Sequence, residues 1–461
     1  MYQSFLTRND LVAFFREYEP ELGDFYLIYE KLNFQVIALL PKRIYQFRAD
    51  LKALELHDRS SLCEYNQTHV QLDDTNPITY LNTELASFSQ QNQPGHAVPF
   101  FKGGLAGAVT FEGLSQLLDI DISCTESPPM PFGLFDSFLV KELATEIVHV
   151  VGTDDTENKL TEIIKKIQSG VYLNHSSKTD VAVNFSDFYN QVTQNPEDRN
   201  IFCQQVMDIQ THLKQGNSFQ TVLSYKYSKP QKSSTFDTFL QLYKQRSTYK
   251  YLARFFDTRI VGISPENLFE LNHQRHVKMI PLAGTRPRTG DKTIDNEQES
   301  QLRNCKKEKA EHTMLVDLAR NDLGIVCEKG SVNVERYLYI EHFKDVMHLA
   351  SDITGILQEN ITALDLMRAI SPAGTMSGAP KIRSINIIRE TECDERGFYS
   401  GNIGFVNFDG SADFSIIIRS VIFANNRVNL RAGAGIVLDS TANSEYDECI
   451  RKMYSCGKEL V

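Results

Sequence analysis

Residues 402–438 read NIGFVNFDGSADFSIIIRSVIFANNRVNLRAGAGIVL. Apolar runs alternate there with Asp409-Gly410 and Asn425-Asn426, dipeptides that suit tight hairpin turns, and the stretch therefore predicts an antiparallel meander. Working outward, the segment after it predicts a final helix beginning at Ser444, where Ser444 and Asp447 have the spacing of a capping box. Upstream, Thr362 and Asp365 have the same spacing ahead of a helix running to Ile370, and SPAGTMSGAPK (371–381) is a glycine- and proline-rich loop.

Further strands are predicted at GSVNVERYLYI (330–340), VMHLASDITGIL (346–357), LARFFDTRIVGIS (252–264) and SFQTVLSYKYS (218–228), the last placing Gln220 in an apolar setting. Between them lie a turn at PLAGTRPRTGD and one long helix from about 295 to 321. PEDRNIFCQQVMDIQTHLKQG (196–216) predicts a helix with Ile201, Val206, Ile209 and Leu213 on its inner face and Gly216 as its stop. In the first part, 24–48 and 134–152 read as strands joined by short turns. The chain divides into a strand-rich region, 1–174, a polar linker, 175–195, and a region that carries the chemical signatures, 196–461. Strands interrupted by helices, without regular beta-alpha-beta alternation, place the fold in the α+β class.

With 461 residues, 41% hydrophobic and 23% charged, the chain is long enough to bury a substantial core. A net charge of −11 and the lack of any long Lys/Arg block argue against nucleic acid or an anionic membrane as partner. No apolar run has the length of a membrane span, and MYQSFLTRND has no basic-then-apolar pattern, so the expected location is cytoplasmic. Eight cysteines lie scattered with no CxxC, which indicates neither a zinc site nor a disulfide framework. None sits in the Gly-x-Cys-x-Gly setting of a nucleophile elbow, so a cysteine glutaminase is not encoded here.

Two carboxylate pairs, Glu308 with Glu311 and Glu445 with Glu448, are each spaced by three residues on predicted helices. Either pair alone fits a solvated helix face. Together the four suggest a magnesium site, because a hard divalent cation takes oxygen ligands and keeps several waters.

Several motifs occur in one order: SPENLFEL, PLAGTRPR, KEKAEHTMLVDLARNDL, HLASDITG, SPAGTMSGAPK, GFYSGNIGF, RAGAGIV and SEYDEC. Together they resemble the chorismate-utilising enzymes, and most closely the large component of anthranilate synthase. The resemblance is strong over about 195–461 and weaker before 174, where FFKGGLAGAVTFEG is similar to a glycine-rich segment of the family. It implies stacked, largely antiparallel sheets with outer helices and an active-site cleft between sheet and helices.

The resemblance also implies the roles of single residues. Mg2+ would be held by Glu311 and Glu448, supported by Glu308 and Glu445, and would bind the ring carboxylate of chorismate. Tyr399, Arg419, Lys452 and the amides of Gly433 and Gly435 would bind substrate carboxylates; arginine grips a carboxylate with paired N–H bonds and glycine lets main-chain donors approach an anion. Glu266 would be the general acid, since hydroxide is a poor leaving group and a proton donor is needed. His348 would sit against the departing hydroxyl, and Gly284, Thr285 and Thr375 would line the same cavity.

Two positions separate branches of this family. Relatives that add water carry lysine where this chain has Gln220, because water needs a base and ammonia does not. Many aminodeoxychorismate synthases carry a lysine nucleophile where this chain has Ala283. The expected reaction is therefore direct amination at C2, loss of the C4 hydroxyl and pyruvate elimination, with the aminodeoxychorismate branch as the alternative. Ammonia would come from a separate glutamine amidotransferase subunit in a hetero-oligomer. Feedback-regulated anthranilate synthases have a Leu-Leu-Glu-Ser segment and an Asn-Pro-Ser-Pro-Tyr-Met segment around a tryptophan pocket. Here FYLIYEKLNFQ (25–35) and QRSTYKYL (245–252) stand instead, which predicts weak or no inhibition by tryptophan.

Overall fold

The computed structural model describes residues 1–7, 11–18, 23–48, 51–60, 64–72, 76–91, 98–122, 124–125, 127–169, 184–342, 346–458 and 460. Among them the strands form two large sheets, of eleven and twelve strands, and every ladder is antiparallel. The first sheet runs from Tyr2–Leu6 at one edge to Gln220–Pro230 and the two-residue strand Gly378–Ala379 at the other. The second runs from Leu282–Pro287 to Tyr65–Gln71.

The sheets stack face to face with helices on both outer sides. Phe25, Leu27 and Tyr29 of the strand Phe25–Lys31 point into the layer between the sheets, where they join Ala106, Phe135, Ile403 and Phe405 from the second sheet. Tyr26 and Ile28, of the opposite parity, join the outer core made with the helices Pro196–Lys214 and Ala442–Gly457. All seven residues of that strand are buried, which is why its sequence reads as an apolar run rather than an alternation. The helices Lys306–Val326 and Ala363–Ile370 cover the second sheet in a third core with Phe269, Leu271 and Phe414.

Strands from before 174 and after 196 pair directly in both sheets: Phe25–Lys31 with Tyr249–Phe255, and Gly104–Val109 with Asn402–Asn407. The linker from 175 to 183 lies outside the described residues; from Asn184, which caps it, a helix runs Phe185–Val192.

The expected strands at 24–48 and 134–152 are present, and the Thr362–Asp365 capping box forms with both reciprocal bonds. Gly216 follows the helix Pro196–Lys214 in a left-handed conformation, φ 77°. Ile201 does not face inward: it is exposed, and Phe202 takes the core position beside Val206.

Four other expectations are corrected. The 402–438 stretch is two hairpins in different sheets, because the chain crosses between sheets at 417–419. PLAGT is not a turn but part of the strand Leu282–Pro287, with a register shift at Gly284, φ 61°. The single helix from 295 to 321 is two, Lys292–Asn304 and Lys306–Val326, broken at Cys305, which is extended. The break lets Leu302 enter a small core with Met347 and Leu349. The last helix starts at Ala442 after Thr441, and Ser444 makes no cap; Ser440 engages Glu445 instead.

The seven described cysteines are free thiols, four of them buried, and Cys63 lies outside the described residues. Among the described residues no helix is long and apolar enough to cross a membrane.

Candidate active site

Where the Gln220 and Leu282 edges of the two sheets approach each other, the helices Lys306–Val326 and Ala442–Gly457 enclose a cavity of about 580 Å3. All the site residues expected from the sequence line it: Gln220, Glu266, Gly284, Thr285, Glu308, Glu311, His348, Thr375, Tyr399, Arg419, Gly433, Gly435, Glu445, Glu448 and Lys452. Four cations that the sequence reading passed over join them, Arg286, Lys307, Arg431 and Arg451. The first three lie inside the quoted motifs PLAGTRPR, KEKAE and RAGAG, so position within a motif was the available signal.

Glu266 follows Pro265 at the start of the strand Asn267–Leu271 and is buried. Its Oε1 accepts the Thr375 hydroxyl at 2.6 Å. Burial pushes its carboxyl up to about 7, against the Thr375 hydrogen bond and the charges of Lys452 and Arg419, which pull the other way. Near neutral pH it therefore retains a proton that an ordinary glutamate has lost.

His348 sits opposite Thr285 across the strand pair that carries the Gly284 bulge. Its Nδ1 lies 2.9 Å from the Gly284 carbonyl and 3.1 Å from Thr285 Oγ1. A carbonyl can only accept, so Nδ1 carries the ring proton and Nε2 is the acceptor nitrogen. Burial, with Arg419 nearby and the Gly284 hydrogen bond opposing, holds the imidazole below its usual pKa, which favours the uncharged ring.

The opposite wall carries the cations Arg419 and Lys452. Arg419 lies at the crossing between the sheets with φ 51°, a left-handed conformation costly for a residue with a side chain. Its guanidinium is tied to the Lys452 carbonyl at 3.1 Å and Ser455 Oγ at 3.2 Å. Lys452 Nζ reaches the Gly433 carbonyl at 2.8 Å and Glu448 at 2.6 Å. Opposite the Arg427–Ile436 strand, the amides of Val222 and Ser224 turn away to Ser377 and Glu392, so Val222–Gly435 and Ser224–Gly433 are pairs whose backbone groups point outward. The Gly433 and Gly435 N–H groups accordingly face away from the Gln220 strand.

A side chain at either glycine would meet a close neighbour. A Cβ on Gly435 would lie 2.2 Å from Gln220 Nε2, and one on Gly433 2.9 Å from Tyr399 Oη.

The four helix-borne carboxylates occupy one end of the cavity, Glu308 and Glu445 in the first turns of their helices, where the macrodipole favours negative charge. Burial and the charges of Glu308, Glu448 and Glu445 raise Glu311, with Lys307 opposing. Glu448 is lowered, because Lys452 outweighs its burial. Three of the four have a cation partner: Arg286 at 3.5 Å from Glu308, Lys307 at 3.7 Å from Glu311 and Lys452 at 2.6 Å from Glu448.

Among the described residues no three His, Cys, Asp or Glu side chains are gathered tightly enough to hold a metal ion as they stand. The donor chemistry nevertheless fits a hard divalent cation: all-oxygen, crowded with negative charge at Glu311, and open to the cavity.

A model of the chorismate binding enzyme family matches residues 44–457. Anthranilate synthase component 1 of Streptomyces coelicolor is 36% identical over 390 residues, covering 82% of this chain and 76% of that protein. The Lactococcus lactis protein of the same name is 32% identical over 436 residues, covering 92% and 90%. The crystal structure of anthranilate synthase component I from Streptococcus pneumoniae superposes with a TM-score of 0.74 at 29% identity, covering 92% of each chain. The menaquinone-specific isochorismate synthase of Escherichia coli, at 15% identity, shares the fold with a TM-score of 0.70 over 100% of this chain and 94% of that one. A family match over nearly the whole chain, relatives above 30% identity and a cavity that gathers the motif residues lead to one conclusion: the chain belongs to the chorismate-binding enzyme family.

Proposed function

We propose that this chain is the large component of an anthranilate synthase, which converts chorismate and ammonia to anthranilate and pyruvate. The observation that carries the reading is Glu266, a buried carboxyl lifted to about 7 on the wall of a cavity where Gln220 stands in place of the lysine that the resemblance gives to water-adding relatives. The relatives named anthranilate synthase component 1 support the same choice.

In this reading Arg419, Lys452 and the Gly433 and Gly435 amides hold substrate carboxylate, and Tyr399 closes that wall. His348, protonated at Nδ1, orients the C4 hydroxyl by accepting its hydrogen bond at Nε2. Glu266 gives its proton to that hydroxyl, which departs as water while ammonia forms the bond to C2. The adduct gives up an N–H proton, the C2 proton then leaves as the C3–O bond breaks, and the enolpyruvyl fragment takes up a proton to become pyruvate, leaving the aromatic amine. Mg2+, held by Glu311 and Glu448 with Glu308 and Glu445 in support, would supply positive charge for the ring carboxylate. The ammonia comes from glutamine through a partner amidotransferase.

The test is mass spectrometry of the products formed from chorismate, ammonium salt and Mg2+, with and without EDTA. Anthranilate and pyruvate, both lost on chelation, are expected. Aminodeoxychorismate without pyruvate would assign the chain to the alternative branch, and no conversion at all would defeat the proposal.

A further inference from the structure

Directly behind the cavity wall, outside any site assigned above, lies a buried arginine with every donor engaged. Arg396 is 4% exposed. Its Nε and Nη2 grip Glu392 at 2.9 and 2.6 Å, its Nη1 donates to the Met376 carbonyl at 2.8 Å and Ser400 Oγ at 3.4 Å, and its Nη2 also donates to the Val222 carbonyl at 2.9 Å. These five bonds use all five N–H groups of a guanidinium. The group lies over the Phe111 ring at 4.5 Å and stands 6.0 Å from the Tyr399 ring.

Its partners extend the frame. Glu392 also accepts the Ser224 amide and hydroxyl, at 2.8 and 2.9 Å. The buried Glu112 carboxylate accepts the amides of Arg396 and Gly397, at 2.7 and 3.0 Å, and so fixes the turn that leads to Tyr399. Three chain segments that supply cavity wall, through Val222, Met376 and Tyr399, thus meet at one side chain that does not itself line the cavity.

A buried ion pair of this kind is weak evidence for stability, since an apolar replacement often serves as well. The geometry points instead to Arg396 as a positioning residue. We propose that its planar fork sets the relative placement of the Gln220 strand, the SPAGT loop and Tyr399, and thereby the affinity of the cavity for its dianionic substrate. The substrate part of this inference rests on the proposed function.

Arg396→Lys keeps the charge and loses the fork, because one ammonium cannot span two carbonyls and a carboxylate. The expected result is a KM for chorismate raised about tenfold with kcat nearly unchanged, the signature of lost binding in ground and transition states alike. Native hydrogen exchange, read without substrate, should accelerate at the Val222 and Ser224 amides. Glu392→Gln serves as a second variant should the lysine variant not fold; it leaves an acceptor oxygen, and smaller changes of the same sign are expected. Unchanged exchange at those amides in a folded variant, or a fall in kcat with KM unmoved, would overturn the inference. If the wild type does not act on chorismate, the proposed function fails by itself and the exchange measurement decides this one.

Discussion

Thr375 Oγ1 donates to Glu266 Oε1 across 2.6 Å, joining the SPAGT loop to a cavity carboxyl that burial lifts to about 7. The bond favours the ionised form, yet desolvation outweighs it, so a substantial share of the acid still carries its proton at neutral pH.

Replacing Glu266 with Gln preserves size and hydrogen bonding but removes the proton donor. Turnover should fall by roughly 10²–10⁴-fold, the usual worth of a positioned general acid, with little change in KM. Steady-state kinetics with ammonium salt as nitrogen source tests this, and a variant with near-wild-type kcat would remove Glu266 from the mechanism.

The pH dependence has a definite sign. Glu266 must be protonated to act, so kcat/KM should fall as pH rises through about 7. In Thr375→Val the carboxylate loses a stabilising hydrogen bond and the limb should move to higher pH. A limb that stays in place, or moves down, would contradict the assignment.

Chelation should abolish turnover without unfolding the chain. Glu308, Glu311 and Glu448 each have a cation partner, which offsets the repulsion within the carboxylate cluster when no metal is bound. Circular dichroism and activity measured on one EDTA-treated sample, then restored with Mg2+, separate the two effects; activity that survives chelation would rule out the metal.

Gly435→Ala should damage function far more than fold. The added Cβ meets Gln220 Nε2, the far end of a flexible side chain that can swing aside, so the stability cost is about 1 kcal/mol or less. The displaced carboxamide then occupies the nucleophile side of the cavity, and ammonium-dependent turnover should drop. A denaturation midpoint near wild type combined with full activity would show that Gln220 is not placed where the reaction needs it.

Tryptophan should inhibit only weakly or not at all. The strands Phe25–Lys31 and Tyr249–Phe255, which carry the divergent segments, pair with each other. The space they face is occupied: Lys31 pairs with Asp413 and, at 2.7 Å, with Glu270, and stands over the Tyr249 ring at 5.2 Å, while Tyr29 donates to Asp413 at 2.8 Å. Burial alone would depress Lys31, but Asp413 more than compensates and raises it. Micromolar inhibition in a steady-state assay would refute this.

Most residues of the cavity were legible because they stand in motifs that resemble those of the chorismate-utilising enzymes, and only the paired carboxylates were legible from spacing. Glu308 and Glu311 share a helix face whatever that helix packs on, and the glycines of RAGAG mark close approaches. The class of fold was legible from strands interrupted by helices without regular beta-alpha-beta alternation. What escaped was set at a distance. Nothing local to Cys305 breaks a helix; the break follows from where Leu302 packs. Nor does Arg419 look like a crossing between sheets, because its left-handed backbone is imposed by what lies on either side. Arg396 resembled any other charged residue before a glycine, since its five bonds go to four residues, two of which, Val222 and Met376, come from distant stretches of chain.

The pairing of early strands with late ones also governs how the chain must fold as it is made. Gly107, paired with Phe132 on one side, finds its second ladder partner only when Gly404 has emerged, and Tyr29, paired with Val36, only when Tyr251 has. Until then each presents an open, apolar strand edge in the middle of what will become a sheet, the kind of edge that recruits other chains. Closure depends on contacts very distant in sequence, which slows folding. Synthesis to near completion is thus required before either sheet can close, and premature termination should yield aggregates rather than a folded fragment.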